Sequence, residues 1–195
     1  FRKVAEQKKD EFISIASHEL KTPMTTIKGY IQMVERSLDK NDIATVRTRL
    51  HKVQNQVEKL NLLIADLLDI SKIESGKLKF NRQYFCFDHL LDHVIEIMQT
   101  SNPEIKINKR NSVEQKIYGD EMRLEQVVIN FFTNAIKYAP ESHQIEIKSE
   151  LRGEELYFGV RDFGIGMSEE HRKKVFEKFY RIEETSSRFQ GLGIG

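Results

Sequence analysis

Chemistry in this chain starts with a histidine. His18, Glu19, Leu20, Lys21, Thr22 and Pro23 follow one another in a stretch of helical character. A neutral imidazole is a nucleophile near neutral pH. Glu19, next to it, is placed to accept the proton of the other ring nitrogen. Thr22 lies four residues on, so it shares the His18 face and is placed to position a water. Pro23 removes the intrahelical hydrogen bond to the carbonyl of Glu19 and is expected to bend the helix within one turn of the imidazole. A helical histidine is most often an ordinary surface residue; the proline sets this one apart.

Further along, Asn130 and Asn134 stand at i and i+4 in NFFTNAIKY, on one face of a second helix. Their amide oxygens suit Mg²⁺, a hard ion that favours oxygen ligands. Lys137 continues that face and is placed to meet a phosphate oxygen. Glu125 lies slightly off it, as a candidate holder of a metal-bound water. Solvated, purely structural asparagines are the plain alternative. In DFGIGM an aspartate, Asp162, ends a strand, and Gly164 and Gly166 let the backbone approach a ligand closely. The Asp162 carboxylate can accept a hydrogen bond from an exocyclic amine such as that of adenine. At the C-terminus Gly191, Gly193 and Gly195 can curl backbone amides around phosphates. Between the two glycine segments, Arg181 and Arg188 either add charge toward phosphates or are simply solvated.

The elements that must position these residues are of two kinds. Residues 1–74 read as two long helices. Val4, Ile13, Leu20, Ile27, Ile31, Val34 and Leu38 mark one apolar stripe, and Ile43, Val46, Leu50, Val53, Val57, Leu60, Ile64 and Leu67 mark the other. The polar break at 37–42 separates them, with Asn41 or Asp42 as cap of the second helix. Each helix spans roughly 45 Å, and a hairpin of two buries only part of its apolar surface. Self-association into a dimeric four-helix bundle would complete the core. After Gly76 short strands and helices mix: a strand in LKFNRQYFCF, a helix at 88–99 capped by Asp88, strands at 104–110 and 115–119, and a long helix opened by Asp120. A hairpin of 143–150 and 154–162 and a helix starting at 168–170 follow. That pattern predicts a two-layer α/β sandwich with one sheet face wet. The fold class is α+β, with domains 1–74 and 75–195.

Composition narrows the function. Formal net charge is +1, from 31 Lys+Arg against 30 Asp+Glu, so a phosphate-backbone binder is not expected. Cys86 is the single cysteine, which excludes an intrachain disulfide; its aromatic surroundings point to a core position. No apolar run approaches the roughly 18–20 residues of a membrane span, and no signal peptide is visible. Helix-like sequence follows Phe1 at once, so the chain is expected to begin inside an element of a longer protein.

HELKTP, then NxxxNAxKY, DFGIGM, FEKFYR and GLGIG, in that order, resemble the sensor histidine kinase family at every box, over nearly the whole chain. The resemblance implies autophosphorylation by ATP on His18 and transfer of the phosphoryl group to an aspartate of a response regulator. Glu19 would be the acid/base partner. Thr22 would be the threonine linked to phosphatase activity toward the regulator. Asn134, with Asn130, would ligate Mg²⁺, and Lys137 and Tyr138 would contact nucleotide. Asp162 would read adenine with Gly164 and Gly166 beside it, Phe176 and Phe179 would form the F box, and Arg181 would contact phosphate. Gly191, Gly193 and Gly195 would be the last glycine box. The resemblance further implies a homodimer through residues 1–74 and a cytoplasmic location in a bacterial sensor, any membrane anchor lying outside this stretch. The family's ATP-binding domain shares its fold with gyrase-type, Hsp90-type and MutL-type ATPases. A further helix and one or two strands usually follow the last glycine box, so the catalytic domain is expected to be cut short at Gly195. Two other readings compete: a dimeric scaffold with a vestigial nucleotide site, and a gyrase-like ATPase clamp. The latter gives no reason for HELKT in a helical hairpin.

Overall fold

The computed structural model describes residues 2–39, 42–177, 180 and 182, with residues 2–12 as backbone only. The described chain forms two compact units: residues up to Leu78 together with Glu177, Tyr180 and Ile182 in one, and Lys79–Phe176 in the other.

The first unit is a helical hairpin of α1 (Arg2–Asp39) and α2 (Ile43–Glu74). Helix α1 runs unbroken through Pro23. Local chemistry makes the turn between the helices. Asp42 caps α2 by accepting from the Thr45 N–H at 3.1 Å, and its own N–H donates to Ser37 O at 2.9 Å. The Arg49 guanidinium reaches back to Met33 O and Ser37 Oγ, tying α2 to the last turns of α1. Asn41, the other candidate cap, lies outside the described residues. At its far end α2 stops in a Schellman motif. Lys77 N–H donates to Lys72 O and Gly76 N–H to Ile73 O, with Gly76 at φ 65°. Glycine is suited to that left-handed position.

The single hairpin buries only part of the expected stripes, as a hairpin of two such helices should. Ala16, Glu19, Pro23, Val34, Ser37, Val46 and Ile70 are buried, whereas Ile13, Ile31, Leu38, Ile43, Leu50, Val57 and Ile64 are exposed. Along the row 13, 20, 27 and 34 burial runs from exposed at Ile13, through half-buried at Leu20 and Ile27, to buried at Val34.

The second unit is built from β1 (Gln83–Cys86), α3 (Phe87–Ser101), β2 (Lys106–Arg110), β3 (Lys116–Gly119), α4 (Glu121–Tyr138), β4 (Gln144–Arg152), β5 (Glu155–Arg161) and α5 (Glu169–Lys174). Strands β1 and β3 pair antiparallel, Tyr84 opposite Tyr118. A three-stranded sheet has order β2-β4-β5, the first pair parallel and the second antiparallel. Period-two alternation sends Ile145, Ile147 and Ser149 of β4 and Leu156, Phe158 and Val160 of β5 to one face. There they meet Phe87, Leu91 and Val94 of α3 and Val128 and Phe132 of α4. Phe87 and Phe158 meet edge to face at 5.4 Å. The opposite face is polar: Glu146 of β4 pairs with Arg110 of β2 at 2.8 Å and lies 3.9 Å from Arg161 of β5. The two layers and the single wet face are those read from the sequence.

Two local expectations are corrected. Strand β1 covers only Gln83–Cys86 of the LKFNRQYFCF run. The run before it has no ladder partner; instead Asn81 N–H donates to the Asp120 carboxylate at 2.8 Å. Asp88 is not the cap of α3, whose N-cap is Cys86 without a side-chain hydrogen bond. Asp88 sits in the first turn and is held by Lys109 Nζ and Ser112 Oγ, both at 2.7 Å. Burial raises the Asp88 pKa, but the Lys109 ammonium and the Ser112 hydroxyl outweigh it and hold the carboxyl below its ordinary value. Cys86 is half-buried, its Sγ facing the carbonyls of Val113 and Glu114.

Candidate functional site

In the helical unit, His18 is exposed, with 79% of its side chain open to solvent. Its Nδ1 lies 3.8 Å from Glu19 Oε1. That is an electrostatic contact rather than a hydrogen bond. Glu19 itself is buried against the hairpin. The carboxylate is therefore fixed by packing while the imidazole is free to meet a partner. Thr22 Oγ1 donates to His18 O at 3.1 Å. Its hydroxyl proton is committed to the helix, and its lone pairs remain able to accept from a water. Pro23 is buried on the Glu19 side.

In the second unit, α4 begins where Asp120 accepts from the Arg123 N–H, and its buried stripe of Val128, Phe132 and Ala135 faces the sheet. That leaves Asn130 and Asn134 exposed together on the outer side. Lys137 and Tyr138 follow at the C-terminal end, half-buried, with Lys137 Nζ 5.0 Å from the Tyr138 ring centroid. Glu125 is not gathered with them. Nine residues before Asn134, it is half a turn round the helix, and it lies 3.9 Å from His93 Nε2 of α3.

Strand β5 ends at Arg161 and delivers Asp162 to the surface. Asp162 Oδ1 accepts from the Gly164 N–H at 2.9 Å, closing a tight turn. The next amide, Ile165 N–H, donates to Tyr138 O at 3.2 Å. Gly164 is pressed onto the same carbonyl: a Cβ there would lie 2.1 Å from Tyr138 O. Gly166 takes φ 66° with open space around it. The loop of Asp162, Gly164 and Gly166 is thus stitched to the end of α4, beside Lys137 and Tyr138. Phe163, Ile165 and Met167 are exposed along it, an apolar rim suited to a flat ring. Asp162 Oδ2 has no partner among the described residues and is open to an amine. This seam between α4 and the loop is invisible to sequence reading, since Tyr138 contributes only its backbone. The nearest signal was the glycine at 164.

No group of three or more His, Cys, Asp or Glu placed to hold a metal occurs among the described residues. The oxygen donors offered are the neutral amides of Asn130 and Asn134. Such a pair fits Mg²⁺ arriving with phosphates rather than an ion held by protein alone. Phe176 is exposed at the end of the described stretch. Phe179, Arg181, Arg188, Gly191, Gly193 and Gly195 lie outside the described residues.

Comparison with known proteins agrees with the two-unit division of chemistry. Residues 8–76 match the His Kinase A (phospho-acceptor) domain, and residues 119–195 match the histidine kinase-, DNA gyrase B- and HSP90-like ATPase. The chain is 32% identical over 196 residues to the sensor histidine kinase WalK of Bacillus subtilis, covering 97% of this chain and 32% of WalK. It is 31% identical over 197 residues to the signal transduction histidine-protein kinase BarA of Escherichia coli, covering 96% of this chain and 21% of BarA. The chain thus spans a third or less of these relatives. Among solved structures, Acinetobacter baumannii histidine kinase AdeS matches with TM-score 0.66 and 28% identity over 83% of this chain and 79% of that one. Histidine kinase ThkA, in complex with response regulator protein TrrA, shares the fold with TM-score 0.60 at 22% identity, covering 92% of this chain and 55% of that one.

Proposed function

The chain belongs to the sensor histidine kinase family of two-component signalling, and from that premise we propose that it phosphorylates His18 from ATP and passes the phosphoryl group to an aspartate of a response regulator. The observation that carries this reading is an exposed imidazole beside a buried carboxylate in one unit, with a nucleotide-type site in the other. In the first step a ring nitrogen of His18 attacks the γ-phosphorus, and the bond from that phosphorus to the leaving ADP oxygen breaks. The charge that builds on the ring is stabilised by Glu19, whose carboxylate is already fixed nearby. Asp162 Oδ2 accepts from the adenine amine, with Gly164 and Gly166 allowing the base to approach the loop. Lys137 and Tyr138 line the path from base to phosphates. Arg181 and the glycines 191, 193 and 195 supply further phosphate contacts. Asn134 and Asn130 would hold Mg²⁺, which when bound neutralises phosphate charge and aligns the chain of phosphates. Thr22 accepts from a water at the phosphorylated aspartate of the regulator and so gives the chain a phosphatase role.

The phosphoacceptor domain is residues 1–74 and the catalytic domain residues 75–195. The exposed apolar residues of the hairpin support a homodimer through residues 1–74. The response regulator receiver domain is the second protein partner. No helix of the described residues is long and apolar enough to cross a membrane. We place this portion in the cytoplasm of a bacterial sensor.

A water-activating ATPase fits less well. It needs a carboxylate base near the phosphates, and the two carboxylates of α4, Glu121 and Glu125, stand well round the helix from the Asn130 and Asn134 face. The test is incubation of the full-length protein with γ-labelled ATP and Mg²⁺. Label that is acid-labile, base-stable and absent from His18→Gln is expected; acid-stable label, or label that survives the substitution, overturns the reading.

A further inference from the structure

Three threonines surround Pro23, and all three use their hydroxyls in one way. Thr22 Oγ1 donates to His18 O at 3.1 Å, Thr25 Oγ1 to Lys21 O at 2.9 Å, and Thr26 Oγ1 to Thr22 O at 3.0 Å. Each hydroxyl returns one turn to a carbonyl that the helix ladder also uses. Pro23 has no N–H, so the carbonyl of Glu19 lacks its ladder donor, and the proline ring pushes against it. The hydroxyl bonds land on either side of that gap, at residues 18, 21 and 22. Residues 18, 22, 25 and 26 share one helix face. Pro23 and Glu19 are buried on the adjoining face, with half-buried Thr26 at the border. Back-bonding of this kind draws carbonyls outward, bends a helix and slightly destabilises it. Thr25 is exposed and has water available, yet its hydroxyl bonds the helix. Helix α2 shows one such bond, Thr48 to Ala44 O, with no proline near it.

We propose that Thr25 and Thr26 are positioning residues for the phosphoryl acceptor: their hydroxyls, with Pro23, set the local bend of α1 that aims the His18 imidazole. The inference rests on the reading of His18 as acceptor. Neither threonine touches the reacting atoms; they act through the helix backbone. A misplacement of about 1 Å at a reacting group can cost a hundredfold in rate, so a small change of bend is enough.

Valine has the shape and β-branching of threonine without the hydroxyl. In the full-length protein, Thr25→Val with Thr26→Val should slow autophosphorylation turnover by roughly tenfold or more. The KM for ATP should be unchanged, and the melting midpoint unchanged or higher. Thr25→Ser with Thr26→Ser keeps the hydroxyls and should restore turnover. Chemical phosphorylation of His18 by phosphoramidate, which needs only an accessible imidazole, should proceed equally in all variants. Full turnover in the valine pair, a lowered melting midpoint in it, or equal slowing in the serine pair overturns the inference. If the unsubstituted protein takes no label on His18 from ATP, the functional reading fails and this inference with it. Label on His18 that the valine pair acquires at the full rate overturns the inference alone.

Discussion

Gly164 rests on the backbone carbonyl of Tyr138, so close that a Cβ would lie 2.1 Å from the oxygen and 2.7 Å from its carbon. No flexible side chain is available there to give way. Gly164→Ala should therefore push the loop off the end of α4 and break the Ile165-to-Tyr138 bond. Overpacking of this kind costs about 1–3 kcal/mol. A lower denaturant midpoint and at least about a tenfold loss of ATP affinity by titration calorimetry are expected. Unchanged affinity would separate the loop from nucleotide binding.

Asp162 does two jobs with two oxygens. Asp162→Asn keeps an oxygen for the Gly164 N–H but replaces the open oxygen with a donor. ATP affinity should fall by roughly 1–3 kcal/mol while GTP affinity barely changes, narrowing the preference. Equal losses for both nucleotides would mean that Asp162 acts only by shaping the loop.

Glu19 and Thr22 should separate in kinetics. Glu19→Gln should slow autophosphorylation with ATP affinity nearly intact, because the carboxylate acts on charge that develops only in the transition state. Thr22→Ala removes a helix bond to His18 O as well as the water-holding hydroxyl, so it should impair dephosphorylation of the regulator by much more than it slows autophosphorylation. Rates of autophosphorylation, transfer and dephosphorylation measured on each variant decide the matter. A Thr22→Ala protein slowed equally in all three has lost a helix bond, not a water-holding group.

The ion pair of Asp88 and Lys109 should give the second unit its pH limits. The Asp88 carboxyl is held below its unfolded pKa, near 3.9, so its contribution is present above that value and is lost as pH falls through the lower folded pKa. Burial lowers the Lys109 pKa, but Asp88 and Asp92 outweigh it and raise it above 10.5. The Lys109 contribution is thus complete below that value and lost as pH rises through the folded pKa. Asp88→Asn should cost about 1–3 kcal/mol at neutral pH and flatten the fall of stability below pH about 4. Urea titrations across the acid range measure it; an unchanged acid limb would rule the pair out.

What could be read ahead of the structure was whatever is decided within a few residues. Asp42, Asp120 and Ser168 cap helices by bonding amides three positions on, and each was legible as a cap. The hairpin of β4 and β5 was legible from the alternation of 143–150 and 154–162. Asp88 was misread because its partners, Lys109 and Ser112, come from beyond α3 and outcompete the cap. Glu125 was misread because a small angular offset was allowed where nine residues amount to half a turn. For the site, side-chain identities at His18, Asn130, Asn134 and Asp162 were visible. The joint between Tyr138 and the Asp162 loop was not, because backbone atoms make it.

In the homodimer proposed through residues 1–74, the exposed Ile13, Ile31, Leu38, Leu50, Val57 and Ile64 would give the hairpin a dependence on dosage. A fold that obtains part of its interior from a second molecule gains stability with concentration. A cell holding few copies would keep more of them as loosely folded single chains, exposed to proteases. A cell holding many would protect each by the presence of the others. The abundance of such a dimer would then set how much of it survives as well as how much is made, and the surviving amount would rise more steeply than expression.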